Sequence, residues 1–441
     1  MFPILKVLHC LSNFFPDKTG GTEIYVSGLC HALCALGVTS IIVKPNFGGT
    51  AGSYVHQGLL VKEYNETSCA SELLQMGMEL PNGMQAFKEI LLAEQPDAVH
   101  FHETAGSNGI SIYHLSIAKA LGLAVFSTFH LAGNICMRST FMYKGKYACN
   151  GIIDVEKCAV CMLQYRGLKG LIPDIIAKVS PYVNNTIAAN GLRKIFNYPL
   201  YVQKHRAVLQ MVNTTSTNMF VLSQWYRQLL VANGLDAEKI IVLPPPIALP
   251  TVEERHPLVL APGKPVNFVY AGRIAAIKGL DIAIDALVAL QNNQWKLDIY
   301  GEVFDEVYYN ICRQKAANHP NIHWKGGLAH NVLLERLPKY HALLFPSVAQ
   351  ETMGLIILEA MAAGLAVIGS SIWSVQELTN NGRGGFLFEP GNTMALNTLL
   401  SQILEQPSLL QEKLSNNAIA GGMELVAEKT FEAYNGVTVS T

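Results

Sequence analysis

Charge is scarce in this chain, and what there is nearly cancels. Only 15% of its 441 residues are Asp, Glu, Lys or Arg, and 32 basic against 33 acidic side chains leave a net charge of −1. No basic excess exists to draw in nucleic acid, and no acidic run suggests a solvated partner tail. Long hydrophobic runs are missing too: no stretch of about 18 uncharged apolar residues occurs, so no spanning helix is expected. The opening, Met1-Phe-Pro-Ile-Leu-Lys-Val-Leu-His-Cys10, has neither a basic leader nor a small-residue cleavage site. It reads as a first strand, not an export signal. Without such a signal the 9 cysteines are expected to be reduced thiols in a cytoplasmic protein. Repeats and low-complexity tracts are absent as well.

Apolar residues, by contrast, make up 50% of the chain, enough for large buried parallel sheets. The length calls for two cores. Proline density marks the join, with Pro244-Pro-Pro246 followed by Pro250, Pro257, Pro262 and Pro265. The expected domains are residues 1–250 and 251–441, the final helix packing back on the first. Both halves alternate strand and helix patterns, as doubly wound α/β folds do. In the first half, a strand from Ile4 to His9 leads through Gly20-Gly21 into a helical pattern from Thr22 to Leu36. The glycine pair lets backbone approach a ligand closely, either a phosphate or an acceptor. Strands at 98–102 and 124–130 end in His102, Glu103 and His130, on the side where open α/β sheets bind ligands.

Cys136, Cys149, Cys158 and Cys161 follow, in an insertion at about 134–165 with little regular periodicity. Four thiolates with a Cys-x-x-Cys knuckle suit tetrahedral zinc, and less well an iron–sulfur cluster; the alternatives are four unrelated thiols or a redox pair at the knuckle. Such an insertion, with little core of its own, would gain from a metal staple. Between Leu163 and Gln210, Arg166, Lys169, Lys178, Arg193, Lys194, Lys204, His205 and Arg206 could face an anionic acceptor or a membrane surface.

The second half is organised around Glu351-Thr-Met-Gly-Leu-Ile-Ile-Leu-Glu359, between the strand patterns His341–Ser347 and Leu365–Gly369. Gly354 opens a helix whose first amides attract anions. Two carboxylates beside it would repel a phosphate unless they bind hydroxyls. Upstream, Arg273 and Lys278 follow a strand and can neutralise a diphosphate. Cations, helix-start amides and hydroxyl-binding carboxylates together suggest a sugar nucleotide.

Ala271-Gly-Arg-Ile-Ala-Ala-Ile-Lys-Gly279 and residues 345–364 resemble the retaining glycosyltransferases of family 4, glycosyl transferases group 1. The resemblance is strongest over residues 266–393. It implies the GT-B fold, two Rossmann-like doubly wound domains facing a central cleft. It also implies transfer of a hexose-type sugar from a nucleotide-diphosphate sugar to a glycan, lipid-linked or polysaccharide acceptor. No catalytic metal is expected on that basis. The missing export signal and the basic stretch at 163–210 give the expected location as cytoplasmic, with peripheral contact at the inner face of a membrane. By the same resemblance Arg273 and Lys278 clamp the diphosphate and Gly354, Leu355 and Ile356 offer amides. Glu359 binds the ribose diol, Glu351 and His130 lie by the transferred sugar, and Gly20 and Gly21 face the donor–acceptor junction. Many relatives carry Asp after the matching histidine, where this chain has Leu131. Two alternatives keep the fold: a sugar-nucleotide epimerase, or a catalytically silent sugar-nucleotide-binding protein.

Overall fold

The computed structural model describes residues 5–17, 20–67, 79–102, 104, 110–183, 192–247, 260, 263–414 and 421–438. Glu103 and most of the proline-rich join lie outside them. The chain divides into two compact units, Met1–Pro244 with Met423–Thr441, and Pro245–Gly422.

The first unit holds β1 (Lys6–Cys10), β2 (Thr39–Phe47), β3 (Ser53–His56), β4 (Leu59–Glu66), β5 (Ala98–Phe101) and β6 (Ala124–Phe129). It also contains a small hairpin, β7 (Met142–Tyr143) with β8 (Tyr147–Ala148), and then β9 (Asn218–Val221) and β10 (Ile240–Val242). Its main sheet runs β10-β9-β6-β5-β1-β2-β4-β3. All neighbours are parallel except the edge pair β3–β4. That edge hairpin turns through Gln57 and Gly58 at φ 48° and 83°. Helices cover both faces of such a sheet, so its central strands read as unbroken apolar runs: all four residues of β5 are buried. The helix Met423–Thr438 belongs here, with Val426, Ala427, Thr430 and Tyr434 buried.

The second unit is all parallel: β11 (Val266–Ala271), β12 (Trp295–Tyr300), β13 (Ile322–Gly326), β14 (Ala342–Phe345), β15 (Ala366–Ser370) and β16 (Phe386–Phe388). The order is β13-β12-β11-β14-β15-β16. Numbered within the unit this is 3-2-1-4-5-6, the dinucleotide-binding order, whose ligand crevice opens where the winding reverses. Here that point lies between β11 and β14. Leu280, Ala283, Ile284 and Leu287 bury one face of the helix Leu280–Val288 against the sheet. Ile357, Leu358 and Met361 of the helix Leu355–Ala362 pack on the opposite face.

Two expectations for residues 134–210 are corrected. The cysteine-rich stretch is not irregular: Cys158 and Cys161 stand one turn apart on the helix Val155–Tyr165, capped by Asp154 accepting from the Lys157 amide at 2.7 Å. Nor is it coreless, since Phe141, Ala159, Val160 and Leu163 are buried. Further on, the helix Ile172–Val183 turns Leu171, Ile172, Ile175, Val179 and Tyr182 outward, so its exposed stripe is mainly apolar, with Lys169 and Lys178 beside it. Among the described residues no helix is long and apolar enough to cross a membrane.

Candidate active site

The sequence-predicted residues of the second unit meet where its strand order reverses. The loop leaving β11 and the loop leaving β14 are joined backbone to backbone, Val348 N donating to Ile277 O at 3.0 Å. Gly279 makes the approach feasible. Its φ is +66°, and a Cβ built there would lie 2.1 Å from the Pro346 carbonyl oxygen. Only glycine meets both demands. Gly279→Ala should therefore cost about 2–5 kcal/mol and lower the melting midpoint by about 5–15 °C. Calorimetry checks this, and a midpoint within about 1 °C of wild type would count against the contact.

This joint brings Lys278 to Glu351, Nζ to Oε1 at 2.7 Å, both side chains mostly buried. Ser347 Oγ donates to the same carboxylate oxygen at 2.6 Å. The diphosphate candidate and the sugar-hydroxyl candidate thus form one ion pair, which lets a carboxylate stand beside an anion-binding helix start. Arg273 sits on the same loop, exposed, its guanidinium 5.2 Å from the Phe304 ring centre. Gly354 caps the helix Leu355–Ala362, and the amides of Leu355 and Ile356 come before any intrahelical acceptor. One turn on, Glu359 is buried and its Oε1 is 2.7 Å from His330 Nε2. The carboxylate raises the His330 pKa above its ordinary value, against a smaller desolvation effect. His330 was not a sequence candidate. It belongs to no motif, and its partner is 29 residues away.

In the first unit Gly20 caps the helix Gly21–Ala35 in extended conformation. The buried Glu23 carboxylate lies over it, 2.6 Å from where a Gly20 Cβ would be. A negative group there opposes a phosphate and suits hydroxyls. His130 directly follows β6, buried, with the Tyr25 ring edge-on at 4.8 Å. His102, expected to face a ligand, is instead fully buried behind it. His102 links His130 (3.3 Å) to His9 (3.0 Å), and His9 reaches Ser40 Oγ at 3.3 Å. Beside them His100 bonds Tyr434 Oη and Thr128 Oγ1, each at 2.6 Å. Burial drives His9 and His130 down to about 3, and His100 and His102 well below their ordinary range. All four are therefore neutral imidazoles at neutral pH.

Among the described residues, His9, His100 and His102 are the group whose ligand atoms all lie within 4.8 Å of one another. Their nitrogens are taken by the hydrogen bonds above, so the cluster is a polar network inside the sheet. Cys136, Cys149, Cys158 and Cys161 all line one cavity, at wider mutual spacing than that trio.

Residues 252–420 match the family of glycosyl transferases group 1. The second unit is a group 1 glycosyl transferase domain. A lipopolysaccharide 1,6-galactosyltransferase of Salmonella typhimurium is 26% identical over 236 residues, 51% of this chain and 64% of that protein. A glycogen synthase of Mycobacterium tuberculosis is 30% identical over 151 residues, 34% of this chain and 36% of that protein. The matched segments thus span less than two thirds of both relatives. Over the whole chain, HepE of Anabaena, solved with UDP and glucose, is similar at TM-score 0.62 and 14% identity, covering 98% of this chain and 100% of that one. The chain, whose second unit is the group 1 domain, therefore has the GT-B fold.

Proposed function

We propose that this chain is a retaining glycosyltransferase that moves a hexose-type residue from a nucleotide-diphosphate sugar to a glycan or lipid-linked acceptor. The Lys278–Glu351 pair at the reversal point of a 3-2-1-4-5-6 sheet carries the reading. A diphosphate taken up there displaces the carboxylate as the ammonium's partner, and Arg273 adds a second cation. The amides at Gly354–Ile356 take a phosphate oxygen, and Glu351 turns to the sugar hydroxyls. Glu359, oriented by His330, accepts from the ribose diol. As the bond from the anomeric carbon to the diphosphate breaks, the acceptor oxygen bonds to the same face. Its proton passes to the departing phosphate oxygen. No step in this scheme needs a metal. His130, neutral and packed on Tyr25, serves the sugar as a hydrogen-bond partner.

The galactosyltransferase relative and the UDP-bound neighbour support a uridine nucleotide and a polysaccharide or lipopolysaccharide product. The apolar stripe on Ile172–Val183, with lysines beside it, supports peripheral seating at the cytoplasmic face of a membrane, where lipid-linked acceptors present themselves. The test is nucleotide release from uridine, guanosine and adenosine diphosphate sugars, each with and without a lipid-linked acceptor. Release with a uridine donor, enhanced by acceptor, is expected. Conversion of the donor without acceptor would point to an epimerase, and neither binding nor release with any donor would overturn the proposal.

A further inference from the structure

The cavity that Cys136, Cys149, Cys158 and Cys161 help to line is built from pieces that make little sense for four neutral thiols. Backbone amides point at two of the sulfurs. Cys149 Sγ accepts from Gly151 N at 3.5 Å, and Cys161 Sγ from Lys144 N at 3.3 Å. The Arg138 guanidinium approaches Cys161 Sγ at 3.6 Å. A neutral thiol is a weak acceptor, whereas a thiolate rewards several N–H donors. Thiol donation from these sulfurs is marginal: Cys161 lies 3.7 Å from the Met142 carbonyl, and Cys149 4.0 Å from Asn150 Oδ1.

The chain distorts to make this arrangement. Ser139, Phe141 and Lys144 hold φ of 56°, 49° and 55°, three non-glycine residues in the left-handed region within six positions. Each is disfavoured by about 1–3 kcal/mol and persists only where the surroundings over-determine it. Gly145 and Gly151, both at φ 71°, complete the turns. The result presents Cys136 and Cys149 from loops, opposite Cys158 and Cys161 one helical turn apart.

We propose that these four cysteines bind one zinc ion as a closed, structural tetrathiolate site. Each thiol loses its proton as the Zn–S bond forms, and the oxidation state of neither partner changes. Closing the sulfurs to about 2.3 Å from the metal draws the hairpin β7–β8 toward the helix Val155–Tyr165. The ion's positive charge suits sulfurs that already face N–H donors, and its binding free energy offsets the strained turns. Four protein ligands leave no open position, so the role is to hold the segment after β6, which carries His130. The inference does not depend on the transferase reading.

Full-length protein, purified without chelator, should hold about one zinc per chain by elemental analysis. Four of its thiols should resist alkylation until a chelator removes the metal. Cobalt added to the stripped protein should give visible thiolate-to-cobalt absorption. These wild-type measurements stand even if Cys158→Ser with Cys161→Ser folds poorly; where that variant folds, its zinc content should fall at least tenfold. Zinc below about 0.1 per chain, or zinc retained when all four cysteines are serine, would overturn the site. Iron with acid-labile sulfide in place of zinc would overturn the metal's identity.

Discussion

Lys278→Ala should lower kcat/KM for sugar-nucleotide turnover by roughly a thousandfold, with the folded state kept. Two effects act together. In the proposed mechanism the ammonium neutralises the departing diphosphate, and removing one such preorganised charge typically costs about 10²–10³ in rate. In addition, Glu351 loses its partner at 2.7 Å and keeps only the Ser347 hydroxyl at 2.6 Å. That leaves an uncompensated carboxylate facing the phosphate. Glu351→Gln removes the repulsion, so the double variant should recover part of the loss in KM while kcat stays low. Non-additivity of this kind is the mark of two groups acting as one device. The measurement is steady-state nucleotide release, with a melting curve to show intact folding. Activity of Lys278→Ala within threefold of wild type would remove the ion pair from the mechanism.

Mild acid should unfold the first unit. In the unfolded chain each histidine titrates near its ordinary 6.5, whereas His9 and His130 in the folded chain do so only at about 3. Between these values the unfolded state binds more protons, so stability is full above pH 6.5 and falls as pH drops. Each fully displaced histidine removes roughly 1.4 kcal/mol per pH unit across that window, about 5 kcal/mol in all. His100 and His102 shift in the same direction, as does His114, pushed by burial down to about 3. His330 works oppositely, because Glu359 holds its pKa up, but it is a single, partly exposed group. Against a typical stability of about 5–15 kcal/mol, the buried set prevails before pH 4. Circular dichroism against pH should show cooperative loss between pH 6 and 4. Native signal persisting below pH 4 would show that the imidazoles are not the neutral, buried groups described here.

The sequence exposed the candidate residues of the second unit, which the structure brings together, far better than the contacts between them. Arg273, Lys278, Gly354 and Glu359 stand beside glycine-punctuated turns, and such turns fix where strand ends and helix starts fall. The strand patterns His341–Ser347 and Leu365–Gly369 fall where β14 (Ala342–Phe345) and β15 (Ala366–Ser370) lie. Long-range pairing was beyond reach. That Lys278 meets Glu351, or His330 meets Glu359, depends on strand order across the sheet, which no local period encodes. The edge hairpin β3–β4 went unread because its residues mix charge and apolarity without a clean alternation. His102 was misjudged for a different reason: a strand-end histidine reads as ligand-facing unless its neighbours on adjacent strands are also known. Here those neighbours are histidines, and a row of them can bury itself by internal hydrogen bonding.

The helix Met423–Thr438 has a consequence in time as well as space. It belongs to the unit that begins the chain, and Tyr434 reaches His100 over a sequence separation of 334. Pro245–Gly422, by contrast, is contiguous. As the polypeptide leaves the ribosome, the later half holds every residue of its core before the earlier half receives its closing helix. Completion therefore runs opposite to translation. Until the last segment emerges, the face over His100 and the helix Gly21–Ala35 stays open, and a nascent chain stalled short of residue 423 would carry one finished body and one unfinished one.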